Sequence, residues 1–195
     1  IERLPDRALL VLDEAYAEFA GKDLLPVDVS RPNVIRLRTF SKAFGMAGAR
    51  VGYALAHGDI AGAFDRIRNH FGMSRGAVAG ALAALEDQDY LRGIIEQVAM
   101  AREKIAEIAS VNGLHALVSH TNFVTIDCGQ DGAFARRVLQ GLIDQGVFVR
   151  MPFVAPEDRC IRVTAGREAD LAIFAKALPV ALAKARSAVK TGRSV

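Results

Sequence analysis

Two short apolar runs, ALLVLDEA (8–15) and NVIRLRTF (33–40), stand about 15 to 20 residues apart, and a third, VGYALA (51–56), follows the second after the short loop 41–50. Runs of this length without sustained polar alternation read as strands buried in a parallel sheet. The first spacing leaves room for the crossover that a parallel neighbour requires, whereas the loop 41–50 calls for a sharp return. The breaker pair Arg31-Pro32 introduces the second run, in which Arg36 and Arg38 alternate against Ile35 and Leu37. The three runs predict one sheet of an α/β fold.

Beyond Gly76 the pattern changes. An Ala- and Leu-rich stretch reaches about Ser110 with apolar positions at helical spacing, which predicts a long helix. After Asn112-Gly113 the order is a strand NFVTIDC (122–128), a helix from Asp131 to Gln145 stopped by Gly146, strands VFVRMP (147–152) and CIRVTA (160–165), and a closing helix from Arg167. This is a second, smaller α/β unit, with KTGRSV (190–195) as a frayed end. No internal repeat or low-complexity segment interrupts it.

Composition narrows the function classes. With 195 residues, of which 51% are apolar, the chain can bury a sizeable core. A net charge of +3, scattered through both halves, gives little footing for nucleic acid. The two cysteines, Cys128 and Cys160, lack metal or redox spacing and make no disulfide framework, so a cytoplasmic setting is expected. No two histidines have metal-ligand spacing, and no metal is expected. No apolar run approaches the roughly 20 residues that span a bilayer, and no signal-peptide pattern is present, so no membrane association is expected. The chain opens at Ile1, a few residues before a run that reads as buried, and is therefore expected to be the C-terminal part of something longer.

The candidate chemistry starts at Asp13, a carboxylate at the C-terminal end of an apolar strand, where open α/β sheets bind ligands. Burying it calls for a facing cation. Tyr16 puts a phenol at the same edge. Taken alone, these are equally an acid opening a loop and a packed tyrosine. An apolar strand ending in Asp-Glu also resembles the magnesium-binding strand of a P-loop ATPase, although no GxxxxGK[ST] occurs in the sequence. Lys42 distinguishes the readings: among Phe40, Phe44 and Met46, with Arg38 and Arg50 nearby, a lysine becomes fit for Schiff-base chemistry, and Gly45 and Gly48 let the backbone approach a ligand. Its plainer reading is a solvated loop lysine between turn glycines. Ser41 and Arg50 form a hydroxyl and guanidinium pair suited to a phosphate. An acid for a ring-nitrogen cation, a phenol, a lysine for an aldehyde and a phosphate pair together fit pyridoxal 5′-phosphate.

DEAY (13–16), TFSKAFGMAGARVGY (39–53) and IRVTAG (161–166) resemble, in order and spacing, the histidinol-phosphate aminotransferase family of fold-type I pyridoxal-phosphate enzymes. The resemblance implies the C-terminal part of a large mixed-sheet cofactor domain (1–75), a connecting long helix (76–110) and a small α/β C-terminal domain (111–195). It implies that Lys42 forms the Schiff base and moves the proton, that Asp13 keeps the pyridine nitrogen protonated, and that Tyr16 bonds the ring's 3′-oxygen. Ser41 and Arg50 would hold the cofactor phosphate. Arg162, alone as readily a rim salt bridge, would receive the substrate's α-carboxylate, and Arg150 its distal group unless it is a surface arginine. The implied substrates are histidinol phosphate or an aromatic amino acid with 2-oxoglutarate, in a homodimer. A threonine-phosphate decarboxylase-like activity and a non-catalytic fragment are the alternatives. The segment RNHFGMSRGAVAG (68–80) departs from the Pro-Phe-Asn-type segment of better-known members.

Overall fold

The computed structural model describes residues 4–5, 7–21 and 26–191, the last four as backbone only. The chain divides into two compact units, residues 1–95 and 96–195.

In the first unit, β1 (Leu10–Asp13) pairs in parallel with β2 (Val34–Thr39), and β2 pairs antiparallel with β3 (Gly52–Ala56). The crossover and the sharp return expected from the loop lengths are both present. A single turn, α1 (Ala17–Ala20), follows β1. After β3 comes α2 (Gly58–Ile67), which the sequence reading missed; His57 caps it by accepting the Asp59 backbone N–H at 3.3 Å.

The predicted long helix is two. α3 (Arg75–Glu86) starts at Ser74, whose hydroxyl accepts the Ala77 N–H, and α4 (Gln88–Val111) starts afresh after Asp87. The reason is local: the Asp87 carboxylate accepts the Tyr90 N–H at 3.0 Å, satisfying a donor that only a helix start exposes. Apolar spacing alone does not register such a break.

The second unit builds its sheet from β4 (His115–Ala116), β5 (Phe123–Asp127) and β6 (Cys160–Thr164), all antiparallel. VFVRMP forms no strand of its own; it touches the sheet through one bridge, Arg150 opposite Arg162. α5 (Gly132–Ile143) begins under an Asp131 cap, and Gly146, at φ +77°, turns the chain away after it. α6 (Glu168–Thr191) closes the unit, and the rest of the expected frayed end, 192–195, lies outside the described residues. Ile105, Ile126, Val138, Leu142, Ile161 and Leu178, all inaccessible to solvent, form the centre of its core.

α5 and α6 approach closely because Gly141 permits it: a Cβ there would lie 3.0 Å from the Ala181 Cβ and 3.1 Å from its Cα. Gln145 ties the same pair by donating to the Gly141 and Ala177 carbonyls at 2.7 and 3.1 Å. At the other end of α5 a Cβ on Gly132 would collide with the Asp158 carboxylate, which also reaches Arg136 at 3.5 Å. Among the described residues no helix is long and apolar enough to cross a membrane.

Candidate functional site

The C-terminal ends of β1 and β2 lie side by side, with Asp13 opposite Leu37. Asp13 was expected to be buried against a cation. It is instead exposed, with its Oδ1 accepting the Ala15 N–H at 3.0 Å. The two-residue period of the strand puts Leu9 and Val11 on the same face as Asp13, and these apolar side chains are exposed too, as is Leu37.

Lys42 lies in the loop that joins β2 to β3, and this loop is tightly closed. Its neck is the Phe40 N–H donating to the Val51 carbonyl at 3.2 Å, and inside it the Met46 N–H returns to the Phe40 carbonyl at 2.9 Å. The Lys42 carbonyl accepts the Gly45 N–H at 3.0 Å, closing a four-residue turn that Gly45 completes at φ +69°. Phe40, Ala43 and Phe44 are buried beneath it, the Phe40 ring packing 4.9 Å from Phe44 and 5.5 Å from Tyr53 between centroids. The compact apolar setting read from the sequence is therefore present, and it leaves Lys42 itself half-buried. Its ammonium lies 5.1 Å from the centroid of the half-buried Tyr16 ring, within cation–π range. β1 and β2 thus bring Tyr16 and Lys42 together.

Ser41 is half-buried, its N–H held by the Thr39 hydroxyl at 3.1 Å. Arg50 is exposed and adopts the left-handed backbone conformation, φ +51°, that side chains other than glycine seldom take. Its guanidinium donates to the Ala47 carbonyl at 2.7 Å. Arg38, expected near Lys42, instead donates to Glu14 at 3.1 Å. A Cβ on Gly48 would meet nothing within 4 Å, so the loop has open space at that position.

Arg162 and Arg150 belong to the second unit. They exchange backbone hydrogen bonds of 3.1 and 2.6 Å, and the Arg162 guanidinium stacks 4.6 Å from the Phe123 ring centroid. Both line an open apolar hollow with Phe148, Met151 and Phe153.

The sequence reading missed a buried charge group on the opposite face of the first sheet from Asp13. Arg36 donates to Glu14 Oε1 through Nε at 2.8 Å and again through a second nitrogen, while Arg38 takes Oε2. Burial pushes the Glu14 carboxyl up, but the hydrogen bonds and charges of the two guanidinia together outweigh it and hold Glu14 below the usual range. The available signal was the Arg-x-Arg alternation facing a Glu that follows an apolar strand. Among the described residues no cluster of His, Cys, Asp and Glu suits a metal ion.

Residues 2–178 match the model of the family described as aminotransferase class I and II. Histidinol-phosphate aminotransferase 1 of Nitrosococcus oceani is 38% identical over 189 residues, covering 94% of this chain and 50% of that protein. Histidinol-phosphate aminotransferase of Bacillus subtilis is 36% identical over 186 residues, with 91% and 51% covered. The crystal structure of histidinol-phosphate aminotransferase from Sinorhizobium meliloti in complex with pyridoxal-5′-phosphate superposes at a TM-score of 0.89 with 52% identity, covering 95% of this chain and 51% of that one. The chain spans about half the length of the curated relatives it matches.

Proposed function

Since the chain belongs to the aminotransferase class I and II family, we propose that the protein it represents is a pyridoxal-phosphate-dependent aminotransferase that moves an amino group between histidinol phosphate and 2-oxoglutarate. The observation that carries the reading is the seat of Lys42: a primary amine on a closed turn at the end of β2, over the ring of Tyr16, with Asp13 at the end of the neighbouring strand. The donor set fits the cofactor in kind: an amine for its aldehyde, a carboxylate for its ring nitrogen, a phenol for its ring oxygen, and a hydroxyl and a guanidinium for its phosphate. The left-handed backbone of Arg50 supports the same assignment, since strain of this kind concentrates at ligand clamps.

When bound, the cofactor supplies an aldehyde that captures an amine and a protonated ring that takes up an electron pair. Asp13 holds the proton on the ring nitrogen, Tyr16 donates to the 3′-oxygen, and Ser41 and Arg50 bind the phosphate. Lys42 moves a proton between the substrate's α-carbon and the cofactor's C4′. Arg162 offers its fork to a carboxylate or phosphate of the substrate, and Arg150 takes the distal group. The complete enzyme acts as a homodimer.

The test is borohydride reduction of the full-length protein with pyridoxal phosphate, followed by peptide mass mapping. A pyridoxyl label confined to Lys42, with Lys42→Ala unlabelled and transamination reduced by at least about a thousandfold, is the expected result. Scattered label with activity surviving in Lys42→Ala sinks the reading.

A further inference from the structure

Arg36 is 2% exposed and is the only buried charged side chain among the described residues. Its Nε and one terminal nitrogen donate to Glu14 Oε1, and its other terminal nitrogen donates to the Pro26 carbonyl. Arg38, two residues on and on the same face, takes Glu14 Oε2 at 3.1 Å. One carboxylate is therefore divided between two guanidinia that stand two residues apart on β2.

This arrangement is a poor way to stabilise a sheet. Apolar side chains in place of the whole group would serve at little or no loss, because the desolvation of buried charges offsets much of their attraction, whereas removing Arg36 alone leaves part of the enclosed Glu14 charge without its partner. What the charges add is registry. β1 is four residues long and aliphatic up to Asp13, so apolar packing distinguishes poorly between neighbouring registers. A slip of one residue would move Asp13 by about 3.3 Å and turn it to the other face. A slip of two would carry Glu14 about 6.6 Å along β2, away from its present seat between Arg36 and Arg38. The observed register, with Leu12 opposite Arg36 and Asp13 opposite Leu37, lets both carboxylate oxygens find partners.

The two strand ends tied in this way carry the proposed site. Glu14 directly follows Asp13 and precedes Tyr16 by two residues, and β2 leads from Arg38 into Ser41 and Lys42. We propose that Arg36, with Glu14 and Arg38, is a positioning group that sets the register of β1 on β2 and so fixes Asp13 and Tyr16 relative to Lys42. It works from the face opposite Asp13 and touches no ligand. The inference rests on the cofactor reading for its functional half, and its structural half can be measured without the cofactor.

The experiment compares wild type with Arg36→Met in the full-length protein. It reads far-UV circular dichroism, hydrogen exchange at the Leu10 and Glu14 amides, which donate to Asn33 and Leu37 across the strand pair, and the equilibrium dissociation constant for pyridoxal phosphate. The expected result is unchanged secondary structure, exchange at these two amides faster by about tenfold or more, and cofactor binding weaker by about tenfold. Unchanged exchange and affinity in folded Arg36→Met would overturn the proposal, as would a loss of thermal stability with neither of these two changes. Should Arg36→Met not fold, Arg36→Lys keeps the charge and removes the fork. The same two losses at reduced size then support the proposal, and wild-type values of both refute it. Altered exchange together with a wild type that takes no label at Lys42 would sustain the registry role and remove the cofactor reading.

Discussion

The carboxylates of Asp13 and Glu14 are neighbours in sequence and point into different surroundings, one exposed to water and the other enclosed by two guanidinia. Glu14 is held below the usual carboxylate range, so its contribution to stability is in force above the unfolded-state pKa and disappears as the pH falls through the lower folded-state value. Glu18 runs the other way. Burial pushes its carboxyl up, so the folded state loses stability as the pH rises through that value. Glu14→Gln is expected to lower stability at pH 7 and to flatten the acid limb of a urea-stability profile below pH 5, whereas Glu18→Gln should gain stability at neutral pH relative to wild type; urea melts across that pH range measure both. The two thiols give a second prediction. Burial, foremost, pushes Cys128 up to about 12, and Cys160 is also raised by burial. Both should resist maleimide at pH 7.5 in the folded protein and react at once in denaturant, as a thiol count shows.

Among the elements, those with a strong single-period signal were legible: β1, β2, β3, β5, β6, α5 and α6 all fall within the runs read from sequence. What escaped were features decided by one polar side chain or by partners distant in sequence. The break at Asp87 depends on a carboxylate capping the next helix, and α2 follows a histidine cap that lies outside the usual cap residues. Residues 147–152 have strand composition but make only one bridge, since composition does not supply a neighbouring edge. Helix packing turns on similarly small details. Gly141→Ala would press a methyl against Ala181 between α5 and α6, and is expected to cost about 1–3 kcal/mol in urea unfolding, with Ala181→Gly in the same chain restoring part of it.

On the scale of the whole molecule, the second unit has a continuous core of its own, and a fragment of residues 88–195 is expected to unfold cooperatively in urea when followed by circular dichroism; a gradual, non-cooperative loss of signal would contradict this. Where motif and strand end coincide, the sequence placed Tyr16 and Lys42 at neighbouring strand ends, and the structure brings the two together. The candidate site was illegible where the decisive fact is which face a strand residue occupies: the exposure of Asp13, and the commitment of Arg38 to Glu14, follow from pairing geometry across strands distant in sequence. The pairing of β2 with β3 also constrains how the gene can change. Gly52 stands opposite Thr39, and a Cβ there would lie 2.7 Å from the Arg38 carbonyl oxygen, backbone that cannot swing aside as a side chain can. Every missense change of a glycine codon adds that carbon, so at position 52 only synonymous change leaves this strand pair undisturbed.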